Sequence, residues 1–415
     1  MTRYWVETLG CPKNAVDSDK LRGTLVADGM TEATSAADAD LVVINTCAFI
    51  EAARQESIDT VLALSDGRAA GARVVVTGCM AERYGDELAA ALPEADLVAG
   101  FGVPVTLGTK PAAGAGPVPL LDLLNLPRPP ATAPWAYVKV AEGCDRTCGF
   151  CAIPSFRGPQ RSREVTAILA EVDQLAAKEI VLVAQDLASY GRDQRRAGAI
   201  VGLVQEVAAR VERVRLLYLY PSDLDDRLVD AVLATGVPYF DLSLQHVSKP
   251  HLRRMRRWGD GQRFLDRIAS IRASEAGAAF RSSFIVGYPG ETEADHDELL
   301  AFVTAAELDW CGIFAFSPED GTYAVDLPGA VPSALVAERM LEVSALQDEI
   351  TARRRAALVG DVVEVLVDEP GVGRSFREAP EIDGIITVPT SLATGTFAKV
   401  QISGAAGPDL EAVLL

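Results

Sequence analysis

The chain has 415 residues, 49% hydrophobic and 23% charged, a composition of folded globular domains rather than of disorder. At about 150 residues per domain, the length argues for roughly three cores. Thirty-nine Lys and Arg against 58 Asp and Glu leave a net charge of −19, a poor footprint for a protein whose main partner is a phosphate backbone. Seven cysteines, an odd number, argue against a small secreted disulfide scaffold and favour metal or thiol chemistry. With three histidines a His-rich zinc site is nearly excluded, and no H-E-x-x-H, G-x-S-x-G or Walker loop is present. Residues 1–7 carry no apolar signal core and no run of 18 apolar residues occurs, so the expectation is a soluble, cytoplasmic protein.

In chain order, 3–8 alternates as a strand, and Ser18 is placed as the N-cap of a helix bearing Leu21, Leu25 and Val26 that stops at Gly29. Leu41-Val42-Val43-Ile44 reads as a buried parallel strand followed by a helix to about Leu64. Arg73-Val74-Val75-Val76 reads as another, followed by a helix to about Leu92. This β-α-β-α-β-α pattern predicts an α/β fold, a doubly wound parallel sheet, over residues 1–103. Eight prolines between Pro104 and Pro134 predict an extended, semi-rigid linker at 104–134. From Tyr137, strand and helix alternate again, with strands expected at 137–140, 179–184, 214–219, 239–244, 280–286 and 311–316. These six units predict an open or partial (β/α)6 barrel across 135–356, ending in a helical stretch near 333–356. Over 357–415, the runs 361–367, 384–388 and 396–402 between Gly and Pro turns predict a small all-β module.

Cys144-Asp145-Arg146-Thr147-Cys148-Gly149-Phe150-Cys151 is a C-x3-C-x2-C cluster after the strand at 137–140, at the carboxyl end where barrel enzymes carry their chemistry. Three ligands suit a cubane [4Fe-4S] cluster with one iron left open, since each iron needs one external ligand. Zinc with a fourth ligand elsewhere is the alternative. Cys11, Cys47 and Cys79 are widely spaced, yet each follows a predicted strand of the first domain. Parallel neighbours end on one sheet edge, where open α/β sheets bind ligands, so these sulfurs are expected to converge as a second three-thiolate site. Three buried structural cysteines are the alternative there. Cys311, beside Trp310 on an apolar strand, is expected to be core packing.

The cluster spacing, with Phe150 just before its last cysteine, resembles the signature of the radical S-adenosylmethionine (SAM) superfamily. Two three-cysteine sites joined to a C-terminal β-module resemble its methylthiotransferase family over essentially the whole chain. The segments Leu9 to Ser18, Val140 to Gly158, Ala184-Gln185-Asp186, Ser189-Tyr190-Gly191, Leu244-Gln245-His246, Phe284 to Thr292 and Ala379 to Gly384 are similar to the RimO branch. Ser243 departs from that pattern, which commonly has Pro. The resemblance implies a radical SAM barrel, a C-terminal TRAM domain and two [4Fe-4S] clusters. Cys144, Cys148 and Cys151 would hold the radical-generating cluster, and Cys11, Cys47 and Cys79 an auxiliary one carrying the sulfur to be transferred. SAM would chelate the open iron of the first and yield a 5′-deoxyadenosyl radical, while a second SAM supplies the methyl group. Gln185, Gly287 and Pro289, at predicted strand ends, are candidate SAM contacts, with a plain turn the alternative at Pro289-Gly290. The implied substrate is the β-carbon of one aspartate in small-subunit ribosomal protein twelve. A low-potential electron donor such as flavodoxin or ferredoxin and a sulfur source are implied partners; a membrane is not.

Relatives with the same chemistry methylthiolate adenosine in tRNA, holding RNA with the TRAM module. Residues 358–415 carry nine acidic residues against Arg374, Arg377 and Lys399, so the module repels phosphate and suits a basic ribosomal protein. An iron-sulfur electron carrier is a rival of another class, disfavoured because carriers bury fully ligated clusters. A zinc-bearing RNA scaffold is opposed by the charge. The basic run Arg253 to Arg257 is read as a solvated helix face, with RNA contact the alternative.

Overall fold

The computed structural model describes residues 2–105 and 122–415; positions 106–121 of the expected linker lie outside the described residues. The chain forms two compact units, one of Met1–Pro130, Ala141–Arg146 and Cys151–Gln174, the other of Ala131–Val140, Thr147–Phe150 and Leu175–Leu415. Cys144 and Cys151 thus belong to the first unit and Cys148 to the second.

In the first unit the strands Arg3–Thr8, Leu41–Thr46 and Arg73–Gly78 pair in parallel, with the short strands Thr31–Glu32 and Leu97–Val98 at the two edges. Every residue of Leu41–Thr46 is buried, because alternate side chains feed two different cores. Val42, Ile44, Val74 and Val76 pack with Val61, Met80 and Leu88 of the helices Glu51–Asp66 and Cys79–Ala91. On the other face Tyr4, Val6, Leu41, Val43 and Val75 pack with Leu21 and Leu25 of the helix Pro12–Ala27. That helix starts well before Ser18. Cys11 is its extended N-cap and Pro12 its first residue, where a missing N–H leaves no helical bond unmade. Ser18 is instead buried mid-helix, its Oγ accepting hydrogen bonds from the side chains of Thr8 and Asn45.

In the second unit Trp135–Lys139, Glu179–Val183 and Arg213–Leu216 form one parallel sheet, and Tyr239–Gln245, Ala279–Val286 and Trp310–Ala315 another. A parallel bridge between Leu219 and Leu242 continues the first sheet into the second, so the six strands follow one another in chain order as an open barrel. The helix Ser333–Ala356 follows. Val362–Glu369, Val372–Arg374, Ile386–Thr387, Phe397–Ala406 and Asp409–Leu414 then close a small barrel around Val365, Ile386, Val388, Val400, Ile402 and Leu410. Two of these strands, Val372–Arg374 and Asp409–Leu414, are additional to the three runs seen in the sequence. The run at 384–388 contributes only two residues of strand.

The segment 374–383 of this module lies against the starts of the parallel strands. Each of the six meets it with a residue from its own first three. Tyr137 donates to the Pro380 carbonyl (2.8 Å), Arg215 to that of Phe376 (2.9 Å) and Trp310 to that of Arg377 (2.7 Å). Tyr239 and Arg281 donate to Asp383 at 2.6 and 2.8 Å. Glu179, with no exposed side-chain surface, pairs with Arg215 at 2.8 Å and with Arg374 at 3.0 Å. The amino ends of the strands are thereby sealed, the end that serves stability in β/α barrels. No helix among the described residues is long and apolar enough to cross a membrane.

Burial opposes ionisation of Glu179, but Arg374, Arg215 and Arg213 hold its carboxyl down to about 2. A depressed carboxylate contributes stability above its ordinary value near 4.5 and loses that contribution as pH falls towards 2. Glu179→Gln leaves buried guanidinium groups uncompensated and is expected to lower the unfolding free energy by about 3–5 kcal/mol at neutral pH. Urea titrations at pH 7 and pH 3 check this; the deficit of the variant should narrow in acid, and a deficit independent of pH would contradict the assignment.

Candidate functional site

Cys11, Cys47 and Cys79 come together at the carboxyl edge of the first unit's sheet, around Asn14. The Asn14 amide N–H donates to the Cys11 carbonyl at 2.8 Å. Its side-chain Nδ2 donates to the carbonyls of Leu9 (2.9 Å) and Thr46 (3.1 Å), the residues that lead into Cys11 and Cys47. Its Oδ1 lies 3.6 Å from the Cys79 Sγ. The approach is close: Gly10 has φ +91°, and a Cβ there would fall 2.8 Å from the Cys47 Cβ and 2.9 Å from its Sγ. The Cys47 N–H donates to Ser57 Oγ (3.1 Å), and Cys79 opens its helix directly after the strand that ends at Gly78.

A buried guanidinium completes this group. Arg157 Nη2 donates to the Cys79 Sγ at 3.0 Å and to Asn14 Oδ1 at 2.7 Å. Its Nη1 donates to Asp17 (3.1 Å) and Glu142 (2.9 Å), and its carbon centre lies 4.4 Å from the centre of the Phe101 ring. Burial pushes the Cys47 thiol up to about 12, reinforced by Cys11 and Cys79. Burial likewise raises Cys79, against the pull of Arg157. Burial works the same way on Cys11, but Lys13, Arg157 and the backbone N–H groups of Asn14 and Lys13 hold that thiol below the ordinary range. Largely buried sulfurs supplied with N–H donors and a fixed cation suit an iron-sulfur cluster, whose binding would remove the thiol protons. No three His, Cys, Asp or Glu side chains among the described residues are placed to share a single metal ion. A cubane asks for something different, one thiolate at each of three separate irons.

In the motif at 144–151, the Cys144 N–H donates to the Gly158 carbonyl (3.1 Å) and its Sγ accepts from the Arg146 N–H (3.4 Å). The preceding Gly143, at φ +77°, has no room for a Cβ, which would sit 2.2 Å from the Pro159 carbonyl oxygen. Cys151 leads into the short helix Ile153–Arg157. Within the second unit, the Cys148 Sγ accepts from Arg257 Nη1 at 3.2 Å. Gly149 is clamped by backbone bonds to Met255 and Ala324, both 2.8 Å, and Tyr288 Oη lies 2.7 Å from where its Cβ would be. Each of these two sulfurs, Cys144 and Cys148 in its own unit, is thus supplied with an N–H donor.

The basic run at 253–257 is built into this region and is not a free solvated face. Arg257 is buried, bonded to the Ser243 carbonyl as well as to Cys148 and stacked 4.3 Å from the Tyr220 ring centre. Arg254 donates to the carbonyls of Pro289 and Pro328. Only Arg253 and Arg256 are exposed. Gln185 stands two residues past the strand Glu179–Val183, half-buried. Gly287, at φ +85°, donates its N–H to Glu291, and the Pro289 carbonyl is taken by Arg254 at 2.7 Å, so this turn is tied largely by internal bonds. Beside it His246 lies 3.5 Å from Glu291, and its ring is 4.5 Å from that of His251, which stands edge-on to Tyr288. Burial and His246 push His251 down to about 4, so its ring is neutral at pH 7. Half-buried Cys311 has a thiol raised by burial. Sequence reasoning gave Asn14, Arg157, Arg257 and His251 no role; Asn14 and Arg157 lie inside the family-like segments Leu9 to Ser18 and Val140 to Gly158, the one signal that could have found them, and nothing marks Arg257 or His251.

Gly10→Ala combines a positive φ with contact on Cys47 and is expected to lower stability by about 1–3 kcal/mol. Urea unfolding measures this, and an unchanged midpoint would show that the Gly10 turn does not seat Cys47.

Residues 3–100 match the Uncharacterized protein family UPF0004, residues 138–303 the Radical SAM superfamily and residues 359–415 the TRAM domain. The chain is 42% identical to the "Ribosomal protein uS12 methylthiotransferase RimO" of Kineococcus radiotolerans, over 97% of this chain and 95% of that one. It is 41% identical to the protein of the same name from Nocardioides sp., over 98% and 95% of the two chains. The parallel sheet domain, the open β/α barrel and the small β-barrel are the three-domain architecture shared along this whole length: the chain belongs to the RimO family of radical SAM methylthiotransferases.

Proposed function

We propose that the chain methylthiolates ribosomal protein uS12, replacing a C–H bond at the β-carbon of one aspartate by C–SCH3. It does so with SAM and two [4Fe-4S] clusters, one at Cys144, Cys148 and Cys151 and an auxiliary one at Cys11, Cys47 and Cys79. The observation that carries this reading is the gathering of the second triad around Asn14 and Arg157, three sulfurs from residues far apart in sequence. The working parts are 1–103 for the auxiliary cluster, a linker at 104–134, the SAM barrel at 135–356 and TRAM at 357–415.

Bound at the C-x3-C-x2-C motif, a cluster with SAM supplies the one-electron chemistry that breaks an unactivated C–H bond. The protein's own part is to orient and to keep the site dry. Arg257 supplies an N–H to Cys148, and the two backbone bonds of Gly149 hold the loop between Cys148 and Cys151 in place. Gln185, Gly287 and Pro289, at strand ends, are the candidate SAM contacts. Neutral His251 brings no positive charge to that neighbourhood at pH 7. A low-potential flavodoxin or ferredoxin would deliver electrons, and a separate source would deliver sulfur.

Substrate choice rests on charge. Arg374 and Arg377, two of the module's three basic residues, are not exposed, and Asp368, Glu378 and Asp383 are paired with buried or half-buried arginines. What faces solvent is Asp361, Glu364, Glu369, Glu381, Asp409 and Glu411 against Lys399. This surface attracts a basic ribosomal protein and repels tRNA.

Reduced enzyme incubated anaerobically with SAM, sulfide and either uS12 or tRNA is expected to add a methylthio group to uS12, read by mass spectrometry. Modification of tRNA alone would overturn the substrate. Replacing Cys11, Cys47 and Cys79 together by Ala is expected to reduce bound iron from about eight to about four per chain and to abolish methylthiolation while SAM cleavage persists. An unchanged iron content would rule out the auxiliary site.

A further inference from the structure

We infer that Arg157 is a positioning residue that sets the reduction potential of the cluster held by Cys11, Cys47 and Cys79, through its hydrogen bond and fixed charge at Cys79. This rests on the reading of that triad as a cluster site.

The side chain of Arg157 is 3% exposed, and its guanidinium cannot lose its proton to escape a dry setting. Two carboxylates, Asp17 and Glu142, and the Asn14 amide oxygen hold it from three sides, with Phe101 beneath. It therefore cannot swing away from Cys79, whose Sγ it meets at 3.0 Å. Three thiolates around a cubane carry negative charge, and reduction adds one more. A donor bonded to a ligand sulfur lowers the cost of that extra charge and raises the potential, and burial amplifies the effect because no water screens it. Asp17 works in the opposite sense. It lies 3.1 Å from Arg157 and its charge also disfavours ionised Cys79. The pair therefore forms a push and a pull on one sulfur, with Arg157 in direct contact with it. Arg157 also ends the short helix that begins two residues after Cys151, so its position is fixed by the backbone that leaves the first cysteine motif.

The test uses full-length protein with Cys144, Cys148 and Cys151 replaced by Ala, so that only the auxiliary cluster forms. Iron analysis should give about four irons per chain; fewer than one would mean that the reading of the triad itself fails. In that background the midpoint potential is followed by dithionite titration and electron paramagnetic resonance. Arg157→Gln is expected to keep the iron and lower the potential. Arg157→Lys should fall between it and the parent, and Asp17→Asn should raise the potential. Opposite signs distinguish charge from a merely structural pin, which would move both variants the same way. An unmoved potential in Arg157→Gln, or shifts of the same sign in the two variants, overturns the inference. Should Arg157→Gln assemble no cluster, Arg157→Lys and Asp17→Asn carry the test, and an Asp17→Asn potential at or below the parent's overturns it.

Discussion

Parallel pairing is the constraint on which the rest depends. In the first unit the register sets Thr8 beside Asn45 and Thr46 beside Gly78, so three strands finish level on one edge. Cys47 and Cys79 are then the next residues of their strands, and Cys11 follows by a two-residue turn that Gly10 makes possible. No long-range device is needed to gather the sulfurs; the direction of the chain does it. In the second unit the same directionality separates two tasks. The amino ends of all six strands are closed by the segment 374–383, while the residues after the carboxyl ends are left to hold chemistry.

Both tasks put polar groups where water is scarce, and arginine answers each time. Glu179 is tolerable without solvent because Arg215 and Arg374 contact it directly. Cys79 receives Arg157, and Cys148 receives Arg257. A guanidinium stays charged when desolvated and offers several N–H groups in a fixed plane, so one side chain can serve a sulfur and an oxygen together. Arg157 does this with Cys79, Asn14, Asp17 and Glu142, and Arg257 with Cys148 and the Ser243 carbonyl. The basic run at 253–257, read in the sequence as a solvated helix face, contributes Arg257 to this internal scaffold just after the helix Lys249–Arg254 ends.

The net charge of −19 acquires a location in the same way. Summed over residues 358–415 it only disfavours RNA. With Arg374 buried against Asp368 and Glu179 and Arg377 only partly exposed, a single lysine is left exposed among six exposed acids, which sharpens the electrostatic case for a basic protein partner.

The six barrel strands, the three central strands of the first sheet and the final long helix were legible from hydrophobic runs, because burial on both faces writes itself as continuous apolar sequence. The cysteine sets were legible too, one from spacing and the other from each residue's place after a strand. The start of the first helix was not: Ser18 has the chemistry of a cap, but Pro12 after an extended Cys11 begins the helix earlier and Ser18 goes to its buried face. The short barrel strands at 372–374 and 386–387 are too brief for any periodicity and exist only through their partners. Residue type and order were enough for the fold class, the convergence of Cys11, Cys47 and Cys79 and the sign of the surface. Which charges meet the cysteine sulfurs, Arg157 at Cys79 and Arg257 at Cys148, was decided only in three dimensions, because Arg157 is 78 residues from Cys79 and Arg257 is 109 residues from Cys148, separations at which sequence carries no pairing rule.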